Sequence, residues 1–244
     1  MIVDIFNVVL YQPLFNILIL FYQYLPGKDF GVAVILLTVL IRLILYPLMA
    51  KSIKSQKAIT ELQPQIREIQ QRFKQDKERQ ARETMALYRK AKINPFGSFL
   101  PLLIQLPILF ALYQVFWKGL RPGEMANLYS FISRPEIIDP TFLGIINLAA
   151  PSIMIAVLAG IAQFFQTKMM TPASAGKPKQ KTTPDFSGMM QKQMLYFFPL
   201  FTVFILWGLP AAIGLYWIVT ALFSILQQYF ILKPRSENLT ASGK

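Results

Sequence analysis

The sequence predicts an all-α integral membrane protein with five transmembrane helices, an N-terminal interfacial helix and a cytoplasmic helical hairpin. Composition is the first reason, because 54% of the 244 residues are apolar and only 15% are charged. Soluble domains average about 45–50% apolar and about 25% charged residues. The second reason is that the chain contains several long stretches almost without charge, and a spanning helix needs about 20 such residues. We treat residues 1–244 as a single membrane domain.

Residues 1–28 are predicted to form the interfacial helix. The polar residues of this segment fall within roughly one half of a helical wheel, which suits a helix lying at the membrane surface. They are Asp4, Asn7, Gln12, Asn16 and Gln23. The stretch 5–25 is also long enough to cross the bilayer, so a sixth span stays open as an alternative.

The uncharged stretches place the five spans at about 30–50, 96–117, 142–166, 194–208 and 211–232. The last two come from one stretch without charge, which is too long for a single span. Its interior WGLPAAIG (207–214) carries the Gly and Pro residues of a tight turn. We therefore expect two helices joined by a very short loop.

Lysine and arginine give the orientation. The segment 51–95 holds 12 basic residues, the loop 167–193 holds 5 and the tail 233–244 holds 3, together 20 of the 25 in the chain. Under the positive-inside rule these segments are cytoplasmic, which leaves the N-terminus outside and the C-terminus inside. Because the charge is explained by topology, we expect no specific nucleic-acid binding. The chain has no Cys and no His, so thiol, imidazole and Cys/His metal chemistry are excluded.

The hairpin is predicted within residues 51–95. Ile66, Ile69 and Phe73 form one apolar stripe at helical spacing, and a second stripe comprises Ala81, Met85, Tyr88 and Ala91. Residues 75–77 are the expected turn. The charged outer faces fit either a solvated surface that maintains topology or a docking surface for a partner or for acidic lipid headgroups.

Arg42 is the most informative residue, because a guanidinium stays protonated and costs about 2.5–3.5 kcal/mol at the centre of a spanning helix. None of the five predicted spans contains Asp or Glu. The charge could snorkel toward the basic cluster that begins at Lys51, but a hydrated cavity is the favoured hypothesis. Polar groups that could line the cavity are Thr38, Gln105, Ser152, Gln163, Gln166, Thr202, Tyr216, Thr220 and Ser224.

Several stretches resemble the YidC/Oxa1/Alb3 family of membrane protein insertases. They include LLTVLIRLILYPL (36–48), LPLLIQLPILFALY (100–113) and FTVFILWGLPAAIGLYWIVTALFSILQQ (201–228). The resemblance implies a groove open to the cytoplasm and to lipid. On this basis the groove arginine and its neighbouring threonine are Arg42 and Thr38. Groove and substrate-sliding positions are Leu106, Leu109, Tyr216 and Trp217.

The resemblance also implies a function without enzymatic chemistry or a cofactor. A chaperone-like insertase of the bacterial cell membrane would receive nascent membrane proteins in the cationic groove and release their spans laterally. Further expected partners are the ribosome, a SecYEG-type channel and anionic lipids. Two rival functions stay open, a small-molecule or ion transporter and an accessory assembly subunit of a secretion channel. A transporter would predict inverted repeats with paired broken helices, and we find none in the sequence.

Overall fold

The computed structural model describes residues 1–94, 97, 100–119, 122–170 and 186–232, and most of these residues are helical. The basic tail 233–244 lies outside the described residues. The helices are α1 (Ile2–Phe6), a π-helical turn (Asn7–Tyr11), α2 (Gln12–Tyr24), α3 (Phe30–Ile44), α4 (Tyr46–Glu61), α5 (Gln63–Arg72), α6 (Lys77–Lys90), α7 (Leu100–Lys118), a short 3₁₀ helix (Pro122–Asn127), α8 (Ile153–Met170), α9 (Phe186–Trp207) and α10 (Ala211–Leu232). Two short antiparallel strands, β1 (Thr141–Phe142) and β2 (Ile146–Asn147), precede α8.

The predicted all-α membrane fold is confirmed. Among the described residues, three helical stretches are long and apolar enough to cross a membrane, Val3–Tyr24, Ile153–Met170 and Ala211–Leu232. The pair α3–α4 forms a fourth, bent candidate. Helices α7 and α9 contribute the shorter apolar stretches Leu103–Lys118 and Leu195–Trp207. The number of five spans therefore stays a prediction, as does the position of residues 1–28 at the membrane surface.

Several predicted bounds were wrong. The third span begins at Ile153 and not at 142, because the apolar residues 141–147 turn back on themselves with positive φ angles at Leu143 and Gly144. The predicted loop 167–193 is helical at both of its ends, and residues 171–185 lie outside the described part of the chain. The predicted break in 194–232 is confirmed, since α9 ends at Trp207 and α10 begins at Ala211.

The predicted span 30–50 is broken at Leu45, where α3 and α4 meet at an angle of 67°. Proline explains the break. Pro47 has no N–H to donate to the carbonyl of Leu43, and its ring crowds that carbonyl. The helix restarts at Tyr46 with the proline in its first turn, where a missing N–H is tolerated. Helix α4 then continues to Glu61, so the predicted start of the cytoplasmic hairpin at 51 falls within a helix.

The polar side of the N-terminal helix faces another segment of the protein. Asn16 is buried; its side-chain oxygen accepts from the backbone N–H of Tyr129 at 2.6 Å, and its Nδ2 donates to the carbonyl of Asn127 at 3.0 Å. Tyr11 donates to Glu124 at 2.7 Å. Gln12 and Gln23 donate to the carbonyls of Asn127 and Ser133. Three of the five polar residues that favoured an interfacial helix therefore bond to segment 122–139.

Residues 140–151 join the first turns of α3 and α10. Asp29 caps α3 by accepting from the N–H of Val32 at 2.8 Å, and its other oxygen accepts from the N–H of Leu143 at 2.5 Å. The carbonyl of Leu148 accepts from the N–H of Ala212 at 3.0 Å. These bonds satisfy N–H groups that a helix start leaves without intrahelical partners, and they hold one end of the bundle together.

Gly31 allows the start of α3 to pack closely against Phe142 in the β1–β2 turn. A Cβ at Gly31 would lie 2.6 Å from Cβ of Phe142 and would also clash with the ring. A rotamer change cannot relieve a clash with Phe142 Cβ, so the β1–β2 turn would have to move. We expect Gly31→Ala to lower the free energy of unfolding in detergent by about 1–3 kcal/mol. Gly123→Ala is the control, because no atom lies within 4 Å of the position that its new methyl group would take; equal effects of the two changes would contradict the close packing at Gly31.

The predicted helical hairpin is present, with a turn slightly earlier than predicted. Helix α5 ends at Arg72, and Asp76 caps α6 by accepting from the N–H of Arg79 at 2.9 Å. The guanidinium of Arg79 lies 4.7 Å from the ring centre of Phe73. The predicted second stripe was partly wrong: Met85 is exposed, and the side of α6 that faces α5 carries Leu87 instead.

Candidate functional site

Arg42 lies in the last turn of α3 and is buried, with 6% of its surface exposed. Its Nη2 donates to Oε1 of Gln105 in α7 at 3.2 Å. Nε is also buried and has no hydrogen-bond partner among the described residues. None of the ion pairs found in the described part of the chain includes Arg42. The cation is therefore held by a neutral amide and by the favourable C-terminal end of its own helix.

The network continues into α10. Nε2 of Gln105 donates to the hydroxyl of Tyr216, and Tyr216 is almost completely buried. A single glutamine thus connects the cation on α3 to the phenol on α10, by accepting from one and donating to the other. The predicted groove residues Arg42, Gln105 and Tyr216 come together as one connected network, referred to below as the arginine network.

A second hydrogen bond links α10 to the α3–α4 pair, from Nε2 of Gln227 to the carbonyl of Tyr46 at 3.1 Å. Arg42 precedes the break at Leu45 and Tyr46 follows it. The burial of the Arg42 side chain argues against snorkelling toward the exposed Lys51.

A second polar network occupies the other side of α10. Oε1 of Gln163 in α8 accepts from the hydroxyl of Thr202 in α9 and from the indole N–H of Trp217 in α10, each at 2.7 Å. Shared acceptors of this kind commonly link membrane helices. The predicted groove residues thus divide into two sets, because Trp217 belongs to this network while its neighbour Tyr216 belongs to the arginine network.

The remaining predicted residues are near these networks without joining them. Thr38 is buried and donates to the carbonyl of Val34 in its own helix at 2.7 Å. Thr220 is buried, and its hydroxyl oxygen has no partner among the described residues. Gln166 is partly buried one turn after Gln163. Leu109 packs against the core, whereas Leu106 is 43% exposed.

One face of α10 carries two buried glutamines beyond the predicted polar residues. Ser224, Gln227 and Gln228 are all buried and follow Tyr216 and Thr220 at steps of three and four. This spacing is the signal in the sequence that indicates one polar face. Oε1 of Gln228 has no partner among the described residues. Buried polar atoms without a protein partner are the groups that ordered water commonly satisfies in proteins.

Helices α7 and α9 expose large apolar side chains. Leu103 and Phe110 project from α7, and Leu200 and Phe204 project from α9. The packed core runs from α9 through α8 and α10 to α3, with α2 against α3. Exposed apolar faces on α7 and α9 would adjoin lipid or an apolar guest.

Residues 20–238 match the family model described as 60Kd inner membrane protein. The match contains both polar networks and the α5–α6 hairpin. The chain belongs to this family. The sequence-based resemblance to YidC/Oxa1/Alb3 proteins is thereby confirmed.

The relatives of the 60Kd family agree with this assignment. The chain is 36% identical over 205 residues to a Fusobacterium nucleatum protein described as membrane protein insertase YidC, covering 84% of this chain and 87% of that relative. A Rickettsia akari protein of the same description is 33% identical over 230 residues, which cover 91% of this chain but 38% of the relative.

A solved structure supports the fold. A crystal structure described as an active YidC insertase with its first transmembrane domain resolved matches with a TM-score of 0.58 and 28% sequence identity. The match covers 90% of this chain and 46% of that chain. The chain therefore spans a little under half of the chain in that crystal structure and little more than a third of the Rickettsia akari relative.

Proposed function

We propose that this chain is a membrane protein insertase that receives nascent membrane proteins in a hydrated groove around Arg42. The main observation behind the proposal is that the guanidinium of Arg42 is buried. Its hydrogen-bond partner among the described residues is the neutral amide of Gln105. A cation so placed keeps its attraction for an anionic guest. The unpaired buried atoms of Arg42, Thr220 and Gln228 support water in the same groove. The 60Kd-family membership and the names of the relatives agree with this function.

The physical role of the groove is solvent substitution. An acidic or polar segment of an incoming chain would be costly to transfer into hydrocarbon without partners. Water and the guanidinium of Arg42 lower that cost, and a charge-assisted hydrogen bond gives the segment a resting place. The apolar helix of the substrate then leaves along the exposed faces of α7 and α9, where Leu106 and Phe204 offer apolar contact. Burial of that helix in lipid drives the release, so no enzymatic step or cofactor is involved.

The proposed setting is the bacterial cell membrane, with the N-terminus outside and the C-terminus in the cytoplasm. In this orientation the α5–α6 hairpin is cytoplasmic, and its surface carries many basic residues for a partner or for anionic lipid headgroups. The ribosome, on the cytoplasmic side, and a SecYEG-type channel, within the membrane, are further proposed partners.

Reconstitution of the purified chain tests the proposal. Liposomes with and without the protein receive a single-span substrate with a short acidic N-tail, and protease protection reports its insertion. We expect insertion only with the protein and no added flux of small ions. Insertion at the level of protein-free liposomes would contradict the proposal and favour an accessory subunit. Ion flux without substrate would favour a transporter.

A further inference from the structure

Gln227 is a buried amide with an unusual partner. The residue lies in α10 with 3% of its surface exposed. Its Nε2 donates to the backbone carbonyl of Tyr46 at 3.1 Å. A buried amide that makes no hydrogen bond is costly in an apolar medium, and this contact satisfies the Nε2 donor of Gln227 where α10 packs against α4.

The carbonyl of Tyr46 lies at the start of α4, immediately after the break at Leu45. Because Pro47 cannot donate to the carbonyl of Leu43, the normal hydrogen-bond ladder is interrupted at this point. Kinks of this kind can bend through a range of angles, since the ladder that would fix the direction is incomplete. The 67° angle between α3 and α4 therefore requires contacts from neighbouring helices.

We propose that Gln227 is a positioning residue that sets the angle between α3 and α4. The last turn of α3 carries Arg42, and α4 leads to the α5–α6 hairpin. One hydrogen bond from α10 thus couples the position of the groove cation to the direction in which the cytoplasmic hairpin leaves the bundle. The effect on insertion rests on the proposed function, whereas the effect on the helix angle does not.

A substitution at Ser224 distinguishes the positioning role of Gln227 from a general effect of polar residues on helix association. It lies one turn before Gln227 on the same face of α10 and is also buried. Its hydroxyl donates to the carbonyl of Thr220 in its own helix at 2.8 Å. Ser224 therefore shares the depth and polarity of Gln227 without a hydrogen bond to α4, and Ser224→Ala is the matched control.

The test measures the helix angle directly. The chain has no cysteine, so spin labels can be placed on cysteines substituted for Lys54 in α4 and Leu226 in α10, both of which are exposed. A change of about 15° in the bend moves residue 54, about 13 Å beyond the break, by about 3 Å. We expect Gln227→Met, which keeps the side-chain length and removes the donor, to shift or broaden the label distance by this amount. Ser224→Ala should retain the wild-type distribution.

Gln227→Leu is a second variant, because an apolar side chain is well tolerated in a membrane helix. A wild-type distance distribution in folded Gln227→Met or Gln227→Leu protein would overturn the proposal. As a separate readout, we expect insertion of the acidic-tailed substrate to fall about 3- to 30-fold, the range that corresponds to single interhelical hydrogen bonds in membranes. A distance shift without any insertion by the wild-type protein would reject the proposed function and leave the positioning role standing.

Discussion

Arg42→Ala is expected to reduce insertion of a substrate with an acidic N-tail by about 10- to 100-fold. This range follows from the loss of one hydrogen bond to a charged group, worth about 1.5–3 kcal/mol. The variant removes the only charge in the arginine network and leaves Gln105 and Tyr216 in place. Protease protection in the reconstituted system measures the rate.

Two controls make the Arg42 prediction specific. Arg42→Lys keeps the charge with different geometry and should retain much of the activity. A substrate whose N-tail is short and uncharged should insert into Arg42→Ala liposomes at close to the wild-type rate, since it needs only the apolar faces of α7 and α9. Equal loss for both substrates would indicate damage to the fold and contradict a role in charge recognition.

Tyr216→Ala is expected to have the largest effect on stability. The ring is almost completely buried where α10 packs against α3, and truncation of a buried aromatic side chain costs about 3–5 kcal/mol. Loss of the phenol also leaves Nε2 of Gln105 without its acceptor. Reversible unfolding in mixed detergent micelles measures the change in the free energy of unfolding.

Tyr216→Phe separates packing from hydrogen bonding. It keeps the ring and removes only the acceptor, so we expect a cost of about 0.6–2 kcal/mol, as for other interhelical hydrogen bonds. Phe204→Ala removes an aromatic ring that is 73% exposed and should change stability little. If Tyr216→Ala were as mild as Phe204→Ala, the central packing position assigned to Tyr216 would be wrong.

Features set by local chemistry were predictable from the sequence. The break between α9 and α10 follows from Gly208, Leu209 and Pro210, and the helical membrane class follows from hydropathy. The bend at Leu45 was missed although Pro47 was visible, because a proline in an apolar stretch is compatible with both a straight and a bent span. The start of α8 was missed because residues 141–147 are apolar, and their turn depends on contacts with Asp29 and Gly31 far away in the sequence.

The arginine network was predictable in part. The absence of acidic residues from the predicted spans correctly indicated that Arg42 needs neutral partners, and the polar residue at 105 was a candidate. The division between Tyr216 and Trp217 could not be derived, because adjacent residues on a helix point about 100° apart and only packing decides which neighbour each one meets. The role of Gln227 also depends on a contact between residues 181 positions apart.

A hydrated groove open to the cytoplasm is central to the proposed function, and the accessibility of residue 220 tests it most directly. Thiols react with maleimides as thiolates, which form in water and not in hydrocarbon. In the cysteine-free chain, Thr220→Cys should be labelled by a membrane-impermeant maleimide in inverted vesicles and spared in right-side-out vesicles. Phe204→Cys, on the exposed apolar face of α9, should be spared in both. Absence of labelling at 220 from the cytoplasmic side, or equal labelling from both sides, would contradict the hydrated groove.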